Sequence, residues 1–167
     1  MRSIEQTLRS PGYRRPMTSS HFPRRNLPHI RREGATYAVT WVLADRRRPL
    51  EAAERDRVLD SLRHFAGQRY DLLAAVVMED HVHALLTPFA PYPLSKIMHS
   101  WKSFTAHELV KTGRAAPVWL DEYHDTIIRN KVHLNAVIEY IKHNPTMRWP
   151  GIARYRWLLL PPASGRP

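Results

Sequence analysis

Two histidines, His81 and His83, lie one residue apart in the apolar run "VVMEDHVHALL", Val76 to Leu86. On a strand, residues i and i+2 project from the same face, so the two imidazoles stand side by side while Val82 and Ala84 face the other way. At that spacing two ring nitrogens can share one metal ion, provided a further ligand arrives from elsewhere in the fold. Histidines on the wet face of a strand are common, so the pair alone fits an incidental role better than a metal site.

A second candidate lies in "EYIKHNP", Glu139 to Pro145. Leu134, Val137, Ile138 and Ile141 form a core stripe at helical spacing, and Tyr140 and Asn144 sit beside it, about 40° apart on the helix circumference. A helix docked by that stripe aims a phenol and an amide carbonyl at one neighbouring surface. Taken alone, Tyr140 reads equally well as an amphipathic edge residue and Asn144 as a helix terminator.

These groups need a scaffold, and the pattern supplies one. "ATYAVTWVLA", Ala35 to Ala44, is rich in β-branched and aromatic residues and reads as a strand. Leu50 to Ala66 places Leu50, Ala53, Val58, Leu62 and Phe65 near one helical face, with early acids suited to a helix N-terminus. "YDLLAAVVM" reads as a second strand, Glu79-Asp80 as a tight turn, and "HVHALLTP" as a third strand paired antiparallel with the second. After "PFAPYP" a helix is expected over Leu94 to Val110, with Leu94, Ile97, Met98, Trp101, Phe104, Thr105 and Leu109 in the core. Its opposite face carries Lys96, His99, Lys102, Ser103 and Lys111. A short strand near Thr126 to Arg129 leads into a helix capped by Asn130, which Pro145 is expected to end at about Asn144. The order β-α-β-β-α-β-α implies an α+β fold, a ferredoxin-like antiparallel sheet with helices packed on one side.

The chain is long enough for one domain with a real core, expected over residues 33–160. Lys and Arg total 26 against 15 Asp and Glu, a net charge of +11 with a pI near 10.5, alongside 43% hydrophobic residues. That balance describes a folded protein that seeks polyanions. Residues 1–32 hold eight arginines, one acid and four prolines, so +7 of the charge lies in what reads as an irregular basic arm. Residues 161–167 read as a disordered tail, and no internal repeat or low-complexity stretch interrupts the chain. With no cysteine, disulfides, thiolate zinc sites and cysteine nucleophiles are excluded. No apolar run approaches the roughly 18 residues needed to span a bilayer, and the arginine-rich start lacks a secretory hydrophobic segment. A cytoplasmic, nucleoid-associated protein with no membrane partner is therefore expected.

Five stretches resemble, in order, the motifs of the REP-associated tyrosine transposases, members of the single-tyrosine HUH transposases, in which U is a bulky hydrophobe between two histidines. They are "LPHIRREGATYAVTW", "RYDLLAAVVMEDHVHALL", "LSKIMHSWKSFTAHEL", "VWLDEYHDTIIRN" and "YIKHNP", covering about Leu27 to Pro145. The resemblance implies an HUH-endonuclease fold in which His81 and His83 bind a metal and Asn144 completes its coordination. It implies that Tyr140 is the nucleophile, forming a 5′-phosphotyrosine link while a 3′-OH waits. Trp101-Lys102-Ser103 and Trp119 match further motif positions, and Asp125 and Arg129 match a "D...R" element of structural character. Two imidazoles and an amide are neutral ligands that leave the metal its charge for the phosphate, with Mg²⁺ or Mn²⁺ as the working ion.

The implied partner is single-stranded or hairpin DNA of REP-like palindromes, cleaved and rejoined by the protein as monomer or dimer. Candidate DNA contacts are Arg24, Arg25, Arg31, Arg32, Lys96, Lys102 and Lys142. A phenol needs help to lose its proton, and His143 or a metal-bound water can supply it. Two departures stand out: Glu79-Asp80 precedes the histidines where the family usually has Pro-Asn, and "TMRWPG" follows "NP" where it usually has a sequence like "VKAGL". The competing reading is a palindrome-binding protein descended from such an enzyme that no longer cuts. A histidine–metal hydrolase acting on small molecules lacks an obvious general base and leaves the basic arm unexplained.

Overall fold

The β-branched and aromatic run "YAVTWV" forms β1, Tyr37–Val42, its residues alternately buried and half-buried as a strand between two layers requires. The computed structural model describes residues 34–162, so the expected basic arm and the last five residues lie outside the described residues. After β1 come α1 (Ala52–His64), β2 (Tyr70–Val77), β3 (His81–Pro88), α2 (Leu94–Lys111), β4 (His124–Ile127), α3 (Lys131–Arg148) and β5 (Leu158–Leu159). The strands form one antiparallel sheet in the order β4-β1-β3-β2-β5, the α+β architecture expected. The strand carrying the histidines is thus central, between β1 and β2.

The sheet supports two cores. On one face, α1 and α2 press Val58, Leu62, Ile97, Met98 and Trp101 onto Val39, Trp41, Val77, Val82 and Leu86. Aromatic rings fill it: Trp41 stacks on Trp101 at 5.8 Å, and Tyr70 meets Trp101 edge-on at 5.0 Å. On the other face α3 lays Val137 and Ile141 against Ala74, Val76, Met78 and Leu85. The helices therefore divide between the faces, α1 and α2 on one and α3 on the other, where the pattern implies all of them on one side. Alternation along β3 dictates this: Val82, Ala84 and Leu86 point to the first core, leaving His81, His83 and Leu85 on a face that a further amphipathic helix must cover. A bulge between Leu72 and Ala74 shifts the β2–β3 register, which lets Tyr70 and Val77 both reach the first core despite their odd separation.

Four further expectations need correction. Helix α3 does not stop at Asn144 but continues through Pro145 to Arg148. Proline removes one intrahelical bond at a cost of about 3 kcal/mol, but Asn144 and Pro145 are buried and Trp149 closes the last turn with a 2.7 Å bond to the Pro145 carbonyl. Phe104 is 55% exposed rather than core, because it lies about 80° from the centre of the α2 stripe. The short β5, pairing Leu158 with Val76 on the sheet edge, has no counterpart in the expected order, since two leucines carry no periodicity. β4 also sits two residues earlier than expected.

Candidate functional site

The β3 histidines emerge towards α3 with different surroundings. His83 is 4% exposed, its Nδ1 lies 2.7 Å from the Thr40 hydroxyl on β1, and its Nε2 is buried with no hydrogen-bond partner. Burial, aided by the neighbouring His81, holds its pKa well below the usual histidine range, so the ring is neutral. His81 places Nδ1 2.6 Å from the Asp80 carboxylate and Nε2 3.3 Å from the Asn144 side-chain carbonyl. A carboxylate only accepts, so Nδ1 carries a proton and donates it to Asp80. The two rings stand 4.8 Å apart at 79°.

Asp80 is in turn gripped by Arg46, whose Nε donates at 2.7 Å with Nη2 closer still. Burial pushes its pKa up, but the hydrogen bond from His81, that ring's charge and Arg46 outweigh it and bring the carboxyl down to about 2. The charged form is the one that orients His81.

Helix α3 supplies the opposing wall. Asn130 caps it, its side chain accepting from the His133 amide at 2.8 Å, and Val137 and Ile141 dock it. The Tyr140 ring then meets His83 edge-on at 5.2 Å, and Asn144 is buried over His81. The structure thus brings Tyr140, His81, His83 and Asn144 together. His143 donates from Nδ1 to the Glu139 carbonyl at 2.7 Å, so only its Nε2 is available to take a proton.

Other sequence candidates lie elsewhere. Trp101 and Trp119 belong to the first core, donating to the Tyr70 and Thr105 hydroxyls at 2.9 Å each. Lys102, also on α2, donates to the Leu120 and Asp121 carbonyls at 2.7 and 2.5 Å and tethers that loop. Lys96 is exposed on α2, and exposed Lys142 on α3 pairs with Glu139 at 3.3 Å. Arg24, Arg25, Arg31 and Arg32 lie outside the described residues. Asp125 is half-buried on β4 and Arg129 exposed before α3. The sequence reading missed Thr40 and Arg46, which reach the histidines only through strand pairing; the single local signal was that Asp80 adjoins His81.

No three His, Cys, Asp or Glu side chains come together as a metal-binding group among the described residues. A third donor here is the amide oxygen of Asn144.

A sequence profile described as "Transposase IS200 like" matches residues 31–144, well over half of the chain. The chain belongs to the IS200-like transposase family. The matched stretch of this transposase takes in both histidines and ends on Asn144. No curated protein matches the chain. Among solved structures, a REP-associated tyrosine transposase bound to a REP hairpin is similar with a TM-score of 0.61 and 21% identity, covering 78% of this chain and 75% of that one. A chain named as a transposase from Deinococcus radiodurans R1 is similar with a TM-score of 0.50 and 23% identity, covering 65% of this chain and 88% of the other. At these identities the likeness is one of fold.

Proposed function

We propose that this IS200-like transposase cleaves and rejoins single-stranded or hairpin DNA through a covalent bond between Tyr140 and a 5′ phosphate. The observation that carries the reading is a paired contact across the α3 face: Asn144 over His81 at 3.3 Å and Tyr140 against His83 at 5.2 Å. A surface histidine pair has no need of a buried, unpartnered Nε2, whereas a metal site does. His81 Nε2, His83 Nε2 and Asn144 Oδ1 are the donors that fit Mg²⁺ or Mn²⁺, an ion that when bound offsets phosphate charge and stabilises the leaving 3′ oxygen.

The chain's own residues do the rest. Asp80 and Thr40 engage the Nδ1 atoms, which fixes ring orientation and keeps both Nε2 atoms turned inward. The Tyr140 phenol loses its proton and attacks phosphorus, the phosphorus–3′ oxygen bond breaks, and the 5′ end stays on the tyrosine. Rejoining reverses these steps with a 3′-OH as nucleophile. A hairpin partner is supported by the neighbour of like fold that is bound to a REP hairpin.

The test is incubation of the full chain with folded single-stranded palindromes and Mn²⁺, scored for covalent adducts on a denaturing gel. Wild type should form the adduct and Tyr140→Phe should not; an adduct in that variant sinks the proposal. Binding that survives EDTA and the His81→Ala/His83→Ala pair, with no cleavage in any metal, would instead identify a palindrome-binding protein.

A further inference from the structure

The contacts between α3 and the β2–β3 hairpin form a ladder with three rungs. Tyr140 meets His83, Asn144 meets His81, and Arg148 meets Glu79 with its Nε donating to the carboxylate at 2.7 Å. Along the helix the rungs are four residues apart, about 6.0 Å of rise. On β3, His81 and His83 are about 6.8 Å apart along extended chain, and Glu79 lies in the turn two residues before His81. The two periods nearly match over the first two rungs, and the Glu79–Arg148 pair carries the ladder on into the turn.

Beyond the last rung, Trp149 stacks on Tyr155 at 5.6 Å, and the Tyr155 hydroxyl donates to the Val77 carbonyl at 2.7 Å. The contacts of Val137 and Ile141 with Ala74, Val76 and Leu85 are apolar and non-directional, so they hold α3 down without setting its position along the strand. Pro145 removes a backbone bond between the second and third rungs. Glu79 is by contrast a rigid anchor: its carbonyl accepts from the Leu50 amide at 2.5 Å, and that of Asp80 from the Leu43 amide at 2.9 Å. Glu79 and Arg148 also lie in the two segments where the sequence departs from the resembling family's motifs.

We infer that the Glu79–Arg148 pair is a positioning device for the site, setting the register of α3 so that Tyr140 and Asn144 stand opposite His83 and His81. This rests on the site reading given above. Each acts through the placement of Asn144 and Tyr140.

The experiment measures Mn²⁺ affinity of the full chain by electron paramagnetic resonance, and adduct formation in parallel. Glu79→Arg and Arg148→Glu should each weaken Mn²⁺ binding about tenfold, as loss of outer-shell support does elsewhere, and the double swap should recover most of it. Arg148→Glu is decisive: simple electrostatics predicts tighter binding from an added carboxylate, whereas a lost register predicts weaker binding. In adduct assays the single variants should lower kcat with KM little changed. Arg156→Glu, which disrupts a comparable exposed pair with Asp56 away from the site, should change neither quantity. If a charge reversal unfolds the chain by circular dichroism, Glu79→Gln replaces it, with weaker Mn²⁺ binding still expected. Single variants that bind and react like wild type, or a swap that recovers nothing, would overturn the inference alone. A wild type that neither binds Mn²⁺ nor forms an adduct would overturn the site reading and the inference with it.

Discussion

The two faces of the sheet are built on opposite principles. The face under α1 and α2 is large and aromatic, and it ties polar atoms internally, as in the Trp101–Tyr70–Leu62 chain of 2.9 Å bonds, while leaving the buried Trp41 Nε1 without a partner. The face under α3 has a small apolar core and, beside it, two histidines, an amide and a phenol, with a buried nitrogen left unpartnered. One sheet therefore separates the two tasks: the first face holds the fold, and the second carries polar groups whose burial costs stability. Strand alternation makes this possible, since Val82 and Ala84 serve one layer while His81 and His83 serve the other.

The harshest way to break the comparison is Trp101→Ala. This ring is 2% exposed and packs on both Trp41 and Tyr70, so its loss should cost about 3–5 kcal/mol and leave the Tyr70 hydroxyl short of a donor. Urea denaturation should show the midpoint collapse, whereas Tyr140→Phe, which abolishes the proposed adduct, should cost under about 1.5 kcal/mol. Equal destabilisation from the two changes would refute the division of labour.

A smaller effect is expected from the buried Arg114–Glu54 pair, which ties the loop after α2 to the start of α1. Arg114 donates to Glu54 at 2.9 and 2.6 Å and to the Arg48 and Pro49 carbonyls, while Glu54 also accepts from the Glu51 amide. Arg114→Ala strands the carboxylate and should cost about 3 kcal/mol. Burial raises the Glu54 pKa, but the bonds from Arg114 and Glu51 outweigh it and the net shift is downward. A depressed folded pKa means the stabilisation is present above the ordinary glutamate range and lost as pH falls through the lower folded value. Acid titration of stability should therefore be shallower in Glu54→Gln than in wild type, and an identical acid limb would contradict the pairing.

The elements were more legible than the couplings. The "HVHALLTP" strand, its turn and the placing of Tyr140 and Asn144 beside a core stripe follow from local periods of 2 and 3.6, which sequence displays directly. Pro145 misled because a local rule was overridden by tertiary burial. Thr40, Arg46 and Arg148 were invisible for another reason: they meet His83, Asp80 and Glu79 across 43, 34 and 69 residues, and no short-range pattern encodes such pairings. The same limit hid Arg114, whose partner Glu54 is 60 residues away.

The smallest expected effect has the opposite sign. His83→Leu replaces a buried imidazole by an apolar side chain of similar size on the central strand, removing the unpartnered Nε2. The change gives up the Thr40 contact, but Thr40 is only half-buried and can turn its hydroxyl to water. Relief of the unsatisfied nitrogen should therefore leave the metal-free chain as stable as wild type or about 1 kcal/mol more so. Mn²⁺ should raise the melting temperature of wild type but not of the variant, since only a state that binds the ion is stabilised by it. A variant destabilised by as much as Trp101→Ala would mean that His83 belongs to the fold rather than to the chemistry, and the contrast between the two faces would fail at its central strand.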